Sequence, residues 1–362
     1  MKVPPVPGTT GARGTMARVS WRKVAILITA LFFFILAIQW LKSGARALAP
    51  FVGEVAVVNL ANALGFGWLA AYVVLSGSPV AALALAFLDA GALSQLGAFW
   101  MIVGSRMGAS FIVLALGFVY ALRGHDRRNS LRMGLLALLT TFAIQLPALV
   151  IGYGLLTARA FEWVRLSAAA RLVSALDMVF DPFVNSAEAW LPRWAIFGLG
   201  FGVLWWSMNL MDSGLPSFRL EESAERQHPQ WLTHPLAAFG LGLAVTSVTM
   251  SVSVSLSILV PLAVRGYLRR GNVIPYIMGA NITTFVDTLL AALLLNNTGA
   301  FTVVLVQMVS VAVISLIILL LIYRPFEDGL LYLTDHIGGS TRTLALFLAV
   351  IVGVPVALLL LR

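Results

Sequence analysis
Apolar residues run through this chain in blocks long enough to cross a bilayer, with only short polar gaps between them. The blocks are Val24 to Leu41, Val55 to Ala90, Gly97 to Leu122, Met133 to Thr157, Trp194 to Met211, Pro235 to Val264, Val273 to Leu295, Phe301 to Tyr323 and Leu344 to Leu361. A bilayer core about 30 Å thick takes about 20 apolar residues of helix, so the pattern predicts an all-α polytopic membrane protein. The stretch from Arg159 to Pro192 is different: Arg165, Arg171, Asp177 and Asp181 interrupt it, which suits an interfacial helix better than a span. Basic residues precede Val24 to Leu41, and Ala47-Leu48-Ala49 resembles a cleavage site. That run nevertheless exceeds the usual signal core of about 7–15 residues, so a retained first helix is expected.

Sliding the chain on itself by 175 positions superimposes Gly65 on Gly240, Gly67 on Gly242, Ser76 on Ser251, Ser78 on Ser253, Gly91 on Gly266, Gly104 on Gly279 and Gly124 on Gly299, without a gap. The coincidence of Gly and Ser at the break points indicates a tandem repeat. Residues 1–23 then form a basic N-terminus, 24–192 the first membrane repeat and 193–362 the second. If Val55 to Ala90 and Pro235 to Val264 were each one crossing, the basic cluster at Arg123 would fall outside; folded back as hairpins, they keep it inside with the other basic clusters. If each folds back, its arms of about 15 residues, or about 22 Å, are too short to span alone. Two re-entrant hairpins are therefore expected, with tips at Ser76 to Pro79 and Ser251 to Ser257.

Charge fixes the orientation. The chain is 60% hydrophobic and 11% charged, with a net charge of +9. In a soluble protein that excess would suggest nucleic acid, but here it marks cytoplasmic loops. With re-entrant hairpins, the N-terminus, the Arg123, Arg127, Arg128, Arg132 cluster and the Arg265, Arg269, Arg270 cluster all fall on the cytoplasmic side. Copy one then starts inside and copy two outside, giving two inverted-topology repeats, each with a re-entrant hairpin and a broken helix, in a multi-pass cell-membrane protein. No cysteine is present, which excludes disulfides and thiolate chemistry. The four histidines, His125, His228, His234 and His336, lie in polar gaps without ligand spacing.

Three groups could carry chemistry. Ser251-Val252-Ser253-Val254-Ser255-Leu256-Ser257 follows Thr246, Ser247 and Thr249. Extended backbone inside a membrane is tolerated only where it is buried in protein or lines a cavity, and there its carbonyls and hydroxyls are hard ligands for a small cation. The plainer reading is a row of small residues that lets helices pack closely. Ser76-Gly77-Ser78-Pro79 in the other copy favours function. In Gly279 to Thr288, Asn281, Thr284 and Thr288 share a helical face with Asp287 beside them, and Pro275 and Gly279 predict a break just before it. An Asp at mid-helix costs about 2.5–3.5 kcal/mol on insertion and should face a cavity or a partner. Arg106 occupies in copy one the place of Asn281 in copy two. It is either paired with Asp287 or set to hold an anion bidentately.

The two motifs together resemble the type II sodium/phosphate cotransporter family, which carries in each of two inverted repeats a Gln-Ser-Ser-Ser signature and, about thirty residues later, Gly-Ala-Asn-Ile-Gly-Thr-Thr. Ser76 and Ser78 match in copy one, with Leu75 for Gln. Ser251 and Ser253 match in copy two, with Met250 for Gln. Gly279-Ala280-Asn281-Ile282-Thr283-Thr284 is nearly intact, while copy one has Gly104-Ser105-Arg106-Met107-Gly108. The resemblance implies a sodium-coupled symporter of phosphate or a similar small anion, with its site between two hairpins.

The expected substrate and ion site is Ser76, Ser78, Arg106, Ser251, Ser253, Ser255, Asn281, Thr283, Thr284 and Asp287. Of these, Ser251, Ser253, Asn281, Thr284 and Asp287 are the expected sodium ligands. No further cofactor, no catalytic residue and no nucleic acid is expected; the partners are the anion, Na+ and the bilayer. The alternative is a transport-inactive scaffold or accessory subunit of the same fold, motivated by the altered copy-one motifs. An intramembrane enzyme acting on lipid-linked phosphate through Asp287 and Arg106 lacks a second acid/base group in the sequence.

Overall fold
The computed structural model describes residues 21–53, 57–122, 127–161, 163–164, 170–214, 234–250, 255 and 270–361. The long regular elements among them are all α-helices: α1 (Trp21–Phe51), α2 (Leu60–Val74), α3 (Ser78–Asp89), α4 (Gln95–Ala109), α5 (Phe111–Leu122), α6 (Arg127–Thr157), α7 (Ala170–Trp190), α8 (Arg193–Gly214), α9 (Pro235–Thr249), α10 (Arg270–Thr283), α11 (Val286–Leu294), α12 (Thr298–Leu321), α13 (Tyr323–Gly339) and α14 (Thr341–Leu360).

Among the described residues, seven stretches are long and apolar enough to cross a membrane: α1, α4 continued into α5, most of α6, α8, α10 continued into α11, α12 and α14. The first long block does not form one helix. It splits at Leu75 into α2 and α3, of 15 and 12 residues, or about 22 and 18 Å. Its counterpart in the second half ends α9 at Thr249; beyond it only Ser255 is described before α10. The interrupted segment after Arg159 contains α7, whose Met178 and Trp190 are exposed while Phe180 packs on Phe32 of α1.

The 175-residue correspondence reappears in three dimensions. Leu75 and Met250, which end α2 and α9, both adopt the left-handed conformation, at φ 54° and 49°. Neither is glycine, so each bears a cost of about 1–2 kcal/mol that the surrounding packing offsets. The helices that follow break at matching places, at Ser110 between α4 and α5 and at Thr284–Phe285 between α10 and α11.

Glycines make the same backbone crossings in both halves. A Cβ on Gly67 would lie 2.0 Å from the Met101 carbonyl oxygen, and one on Gly242 would lie 2.1 Å from that of Tyr276; Gly104 and Gly279 meet Leu64 and Phe239 in the same way, at 2.1 and 2.3 Å. Each of these partners is again 175 residues from its counterpart. These are the close approaches by which α2 packs on α4 and α9 on α10. The first helices of the two halves, α1 and α8, pack together antiparallel: Gly44 abuts Phe197, Gly200 abuts Trp40 and Leu41, and Gly214 abuts Ile26 and Leu27.

One expected break is absent. α10 runs through Pro275 and Gly279 unbroken and ends only at Thr283. Proline removes the hydrogen bond that the carbonyl four residues earlier would accept. Here that carbonyl belongs to Gly271, and the Tyr323 hydroxyl donates to it at 2.8 Å. The same solution serves Pro355 in α14, whose orphaned Ile351 carbonyl accepts from Tyr72 at 2.9 Å. The end of α14 is satisfied by Asn62, whose side-chain amide donates to the carbonyls of Leu358, Leu359 and Leu361.

Arg132 and Arg270, one from each basic cluster, both pair with Asp335 of α13, at 3.2 and 3.7 Å. These two arginines therefore meet at one end of the bundle. The other arginines of these clusters lie outside the described side chains.

The glycine crossings make a sharp prediction. Gly242→Ala should destabilise the protein by about 1–3 kcal/mol through overpacking, whereas Gly240→Ala, two residues away with open space around it, should be neutral or stabilising by up to about 1 kcal/mol. Thermal unfolding of both variants in lipid nanodiscs checks this, and equal melting temperatures would contradict the crossing.

Candidate functional site
The split that creates α2 and α3 also aims the turn between them at α4. Gly77 sits so close to this helix that a Cβ there would meet the Ser105 carbonyl at 2.9 Å. Ser78 opens α3, with Pro79 in its first turn. Beside this tip, α4 presents Arg106, and across from it the break between α10 and α11 presents Thr284, Asp287 and Thr288. The three segments enclose a cavity of about 60 Å³ lined by Ser76, Gly77, Ser78, Arg106, Asn281, Thr284 and Asp287, with Ser110, Thr141, Asp212 and Thr249 among the polar groups completing it. At about 10–15 Å³ per water, that space takes a few waters or one small anion.

Arg106 is 5% exposed and Asp287 4%. Arg106 Nη1 donates to Ser78 Oγ at 3.2 Å and to Thr284 Oγ1 at 3.1 Å. Its Nη2 donates to Thr288 Oγ1 at 2.6 Å and lies 4.0 Å from Asp287 Oδ1. Thr288 in turn donates to Asp287 Oδ1 at 2.8 Å. The face of Phe285, the residue at the break, lies 4.6 Å from the guanidinium carbon, within cation–π range. Among the described residues Nε has no hydrogen-bond partner. The ion pair brings together residues 181 positions apart in sequence, and the hydroxyls around it come from both halves of the chain.

The remaining expected residues divide. Ser76 and Asn281 line the cavity, and the Asn281 amide donates to Thr141 at 3.2 Å. Thr283 turns its hydroxyl back to the Gly279 carbonyl at 3.4 Å. Ser255 belongs to a buried hydroxyl trio, accepting from Thr246 at 2.7 Å and bonded to the Tyr276 hydroxyl at 2.8 Å. Ser251 and Ser253 lie outside the described residues. Sequence reasoning did not select Thr141 or Asp212. Thr141 sits in an otherwise apolar run of α6, and only packing reveals its proximity to Asn281. Asp212, an acid one residue beyond an apolar block, carried a signal of its own. Thr288 was seen on the right face, but its double role between Arg106 and Asp287 required the geometry.

This set of hydroxyls, a carboxylate and a guanidinium at the meeting of a helical turn and two broken helices is what a membrane site for a small ion pair requires. Residues 203–347 match the family model of the Na+/Pi-cotransporter. The match covers about two fifths of the chain. The match runs from within α8 into α14 and contains Asn281, Thr284 and Asp287 on the cavity wall, with Thr288 beside them. The first half, where Arg106 replaces the motif's Asn, lies outside the match. No curated protein and no solved structure matches the chain. This partial match, together with the apolar helices long enough to cross a bilayer among the described residues, supports a multi-pass membrane protein and points to a transporter rather than an enzyme.

Because both charges are buried, removing either should strand the other. In sodium-free buffer, Arg106→Met and Asp287→Leu should each cost about 3–5 kcal/mol, while the two combined should cost less than the sum of the single losses. A double-mutant cycle by thermal unfolding measures the coupling; strict additivity would mean that the pair does not interact.

Proposed function
We propose that this protein is a secondary transporter that uses sodium to drive uptake of phosphate or a similar small anion. The observation that carries this reading is the convergence, on one cavity, of the α2–α3 turn and the two helix breaks, within a chain whose second half matches the Na+/Pi-cotransporter family. Hard oxygen ligands suit Na+, and a helix N-terminus beside the cavity, at Ser78, suits an anion. The expected sodium ligands are Ser251, Ser253, Asn281, Thr284 and Asp287; Ser76, Ser78 and Arg106 form the facing wall.

The same reading gives the membrane topology. Residues 24–192 and 193–362 are two inverted repeats, supported by the antiparallel packing of α1 on α8 and by the glycine crossings 175 residues apart. The α2–α3 hairpin is re-entrant, because neither arm reaches across a core of about 30 Å. The meeting of Arg132 and Arg270 on Asp335 supports a common side for the two basic clusters, the cytoplasmic side by the positive-inside rule. The N-terminus joins them there in the cell membrane.

Reconstitution tests the proposal directly. Proteoliposomes with an inward sodium gradient should accumulate radiolabelled phosphate, and an equal potassium gradient should not drive it. Absence of sodium-dependent accumulation of phosphate, arsenate and sulfate alike would overturn the reading and favour a transport-inactive scaffold.

A further inference from the structure
We propose that Arg106 is a tethered cation: its guanidinium permanently fills a place among the cavity oxygens that a coupling sodium ion would otherwise take. The proposal rests on the sodium-coupled reading above and deepens it by setting how many ions the site accepts.

The case begins with what surrounds the guanidinium. Its partners are three hydroxyl oxygens, Ser78, Thr284 and Thr288, and the Asp287 carboxylate. These are hard oxygen donors carrying one negative charge, the ligand set of a monovalent cation in a dehydrated site. Thr284 and Asp287 are also two of the residues expected to hold sodium, and Arg106 is already bonded to or paired with both.

An anion receptor would be arranged differently. Arginine holds an oxyanion by presenting two N–H groups from its fork to it. Here Nη1 is committed to two hydroxyls, and Nη2 is committed to Thr288 and directed at Asp287. Three of the five N–H groups are hydrogen-bonded to hydroxyls, and Nη2 also lies 4.0 Å from the Asp287 carboxylate. The charge itself is neutralised by Asp287 and covered on one face by Phe285. In the other half, the equivalent position is Asn281, a neutral side chain on the same cavity. The halves thus differ by one fixed positive charge, placed among oxygens. A mobile ion is left Asn281, on the same cavity.

Arg106→Ala should open the vacated oxygens to sodium. In proteoliposomes, with choline replacing sodium at constant ionic strength, phosphate uptake by Arg106→Ala should depend on external sodium with an order one ion higher than wild type, and Arg106→Lys should keep the wild-type order. An unchanged order in Arg106→Ala overturns the proposal. Thermal unfolding supplies a readout independent of transport: the sodium-over-potassium rise in melting temperature should be larger in Arg106→Ala than in wild type by on the order of 2–4 °C, and equal rises overturn it. Should Arg106→Ala not fold, Arg106→Gln, which removes the charge but keeps donors for the neighbouring hydroxyls, decides by the same thermal comparison: a larger sodium-over-potassium rise than wild type is expected, and an equal rise overturns the proposal. A wild-type protein without sodium-driven uptake would defeat the transport reading alone, since the thermal comparison still reports whether these oxygens take sodium once the arginine is gone.

Discussion
Taking Arg106 and Asp287 out of water costs several kcal/mol per ion, and the bundle offsets it with three hydroxyls, an ion pair at 4.0 Å and the face of Phe285. Much of the local architecture serves that compensation. Gly77 lets the α2–α3 turn come close enough to α4 for Ser78 to reach the guanidinium. The break at Thr284–Phe285 turns one hydroxyl, one carboxylate and one aromatic face toward the same point. Gly104, two residues before Arg106, fixes α4 against α2 by direct backbone contact. A shift of any of these by an ångström would leave a buried donor or acceptor unpaired, at about 1–3 kcal/mol each.

The sequence made the helical class and the repeat legible for a simple physical reason. Glycine has no Cβ, so a glycine that recurs at a fixed shift reports a backbone crossing that recurs, and Gly67, Gly104, Gly242 and Gly279 all do so. The Arg106–Asp287 pairing was one of two options that charge scarcity left open. The position of the second break was misread, because Pro275 carries a strong local breaking signal and its remedy, the Tyr323 hydroxyl on the Gly271 carbonyl, comes from 52 residues away. Tertiary compensation of this kind has no local signature. Thr141 was missed for the same reason, since its place on the cavity wall is a product of helix packing alone.

A fixed cation changes the energetics of a coupled carrier. Each sodium ion that enters with the substrate contributes about 2.3 kcal/mol per 100 mV of membrane potential, close to a fiftyfold gain in attainable concentration ratio. A tethered guanidinium returns with the empty carrier and contributes nothing. What it provides is a site that is already neutral when empty. Asp287 buried without a partner would have to wait for an ion or a proton before the carrier could reorient, because an uncompensated charge in an apolar surround is prohibitive. Paired with Arg106 it can move unloaded. The proposed exchange is thus concentrating power for an unobstructed return step.

The two halves have diverged in keeping with that division. In the second, Thr246, Ser255 and Tyr276 form a buried hydroxyl trio. Their counterparts 175 residues earlier are Ala71, Val80 and Met101, all fully buried and apolar. The first half has therefore exchanged polar contacts behind its turn for plain packing while placing a charge in front of it. A rigid, apolar backing suits an element whose task is to hold one side chain in one position, because each satisfied van der Waals contact restrains the backbone without offering an alternative hydrogen bond. On the proposed reading, the second half keeps hydroxyls that can exchange partners, as a segment that would bind and release a mobile ion requires. The loss of the motif's Asn in the first half and the retention of Asn281 in the second follow from the same asymmetry: one half supplies a permanent charge, and the other supplies the ligands that must let go.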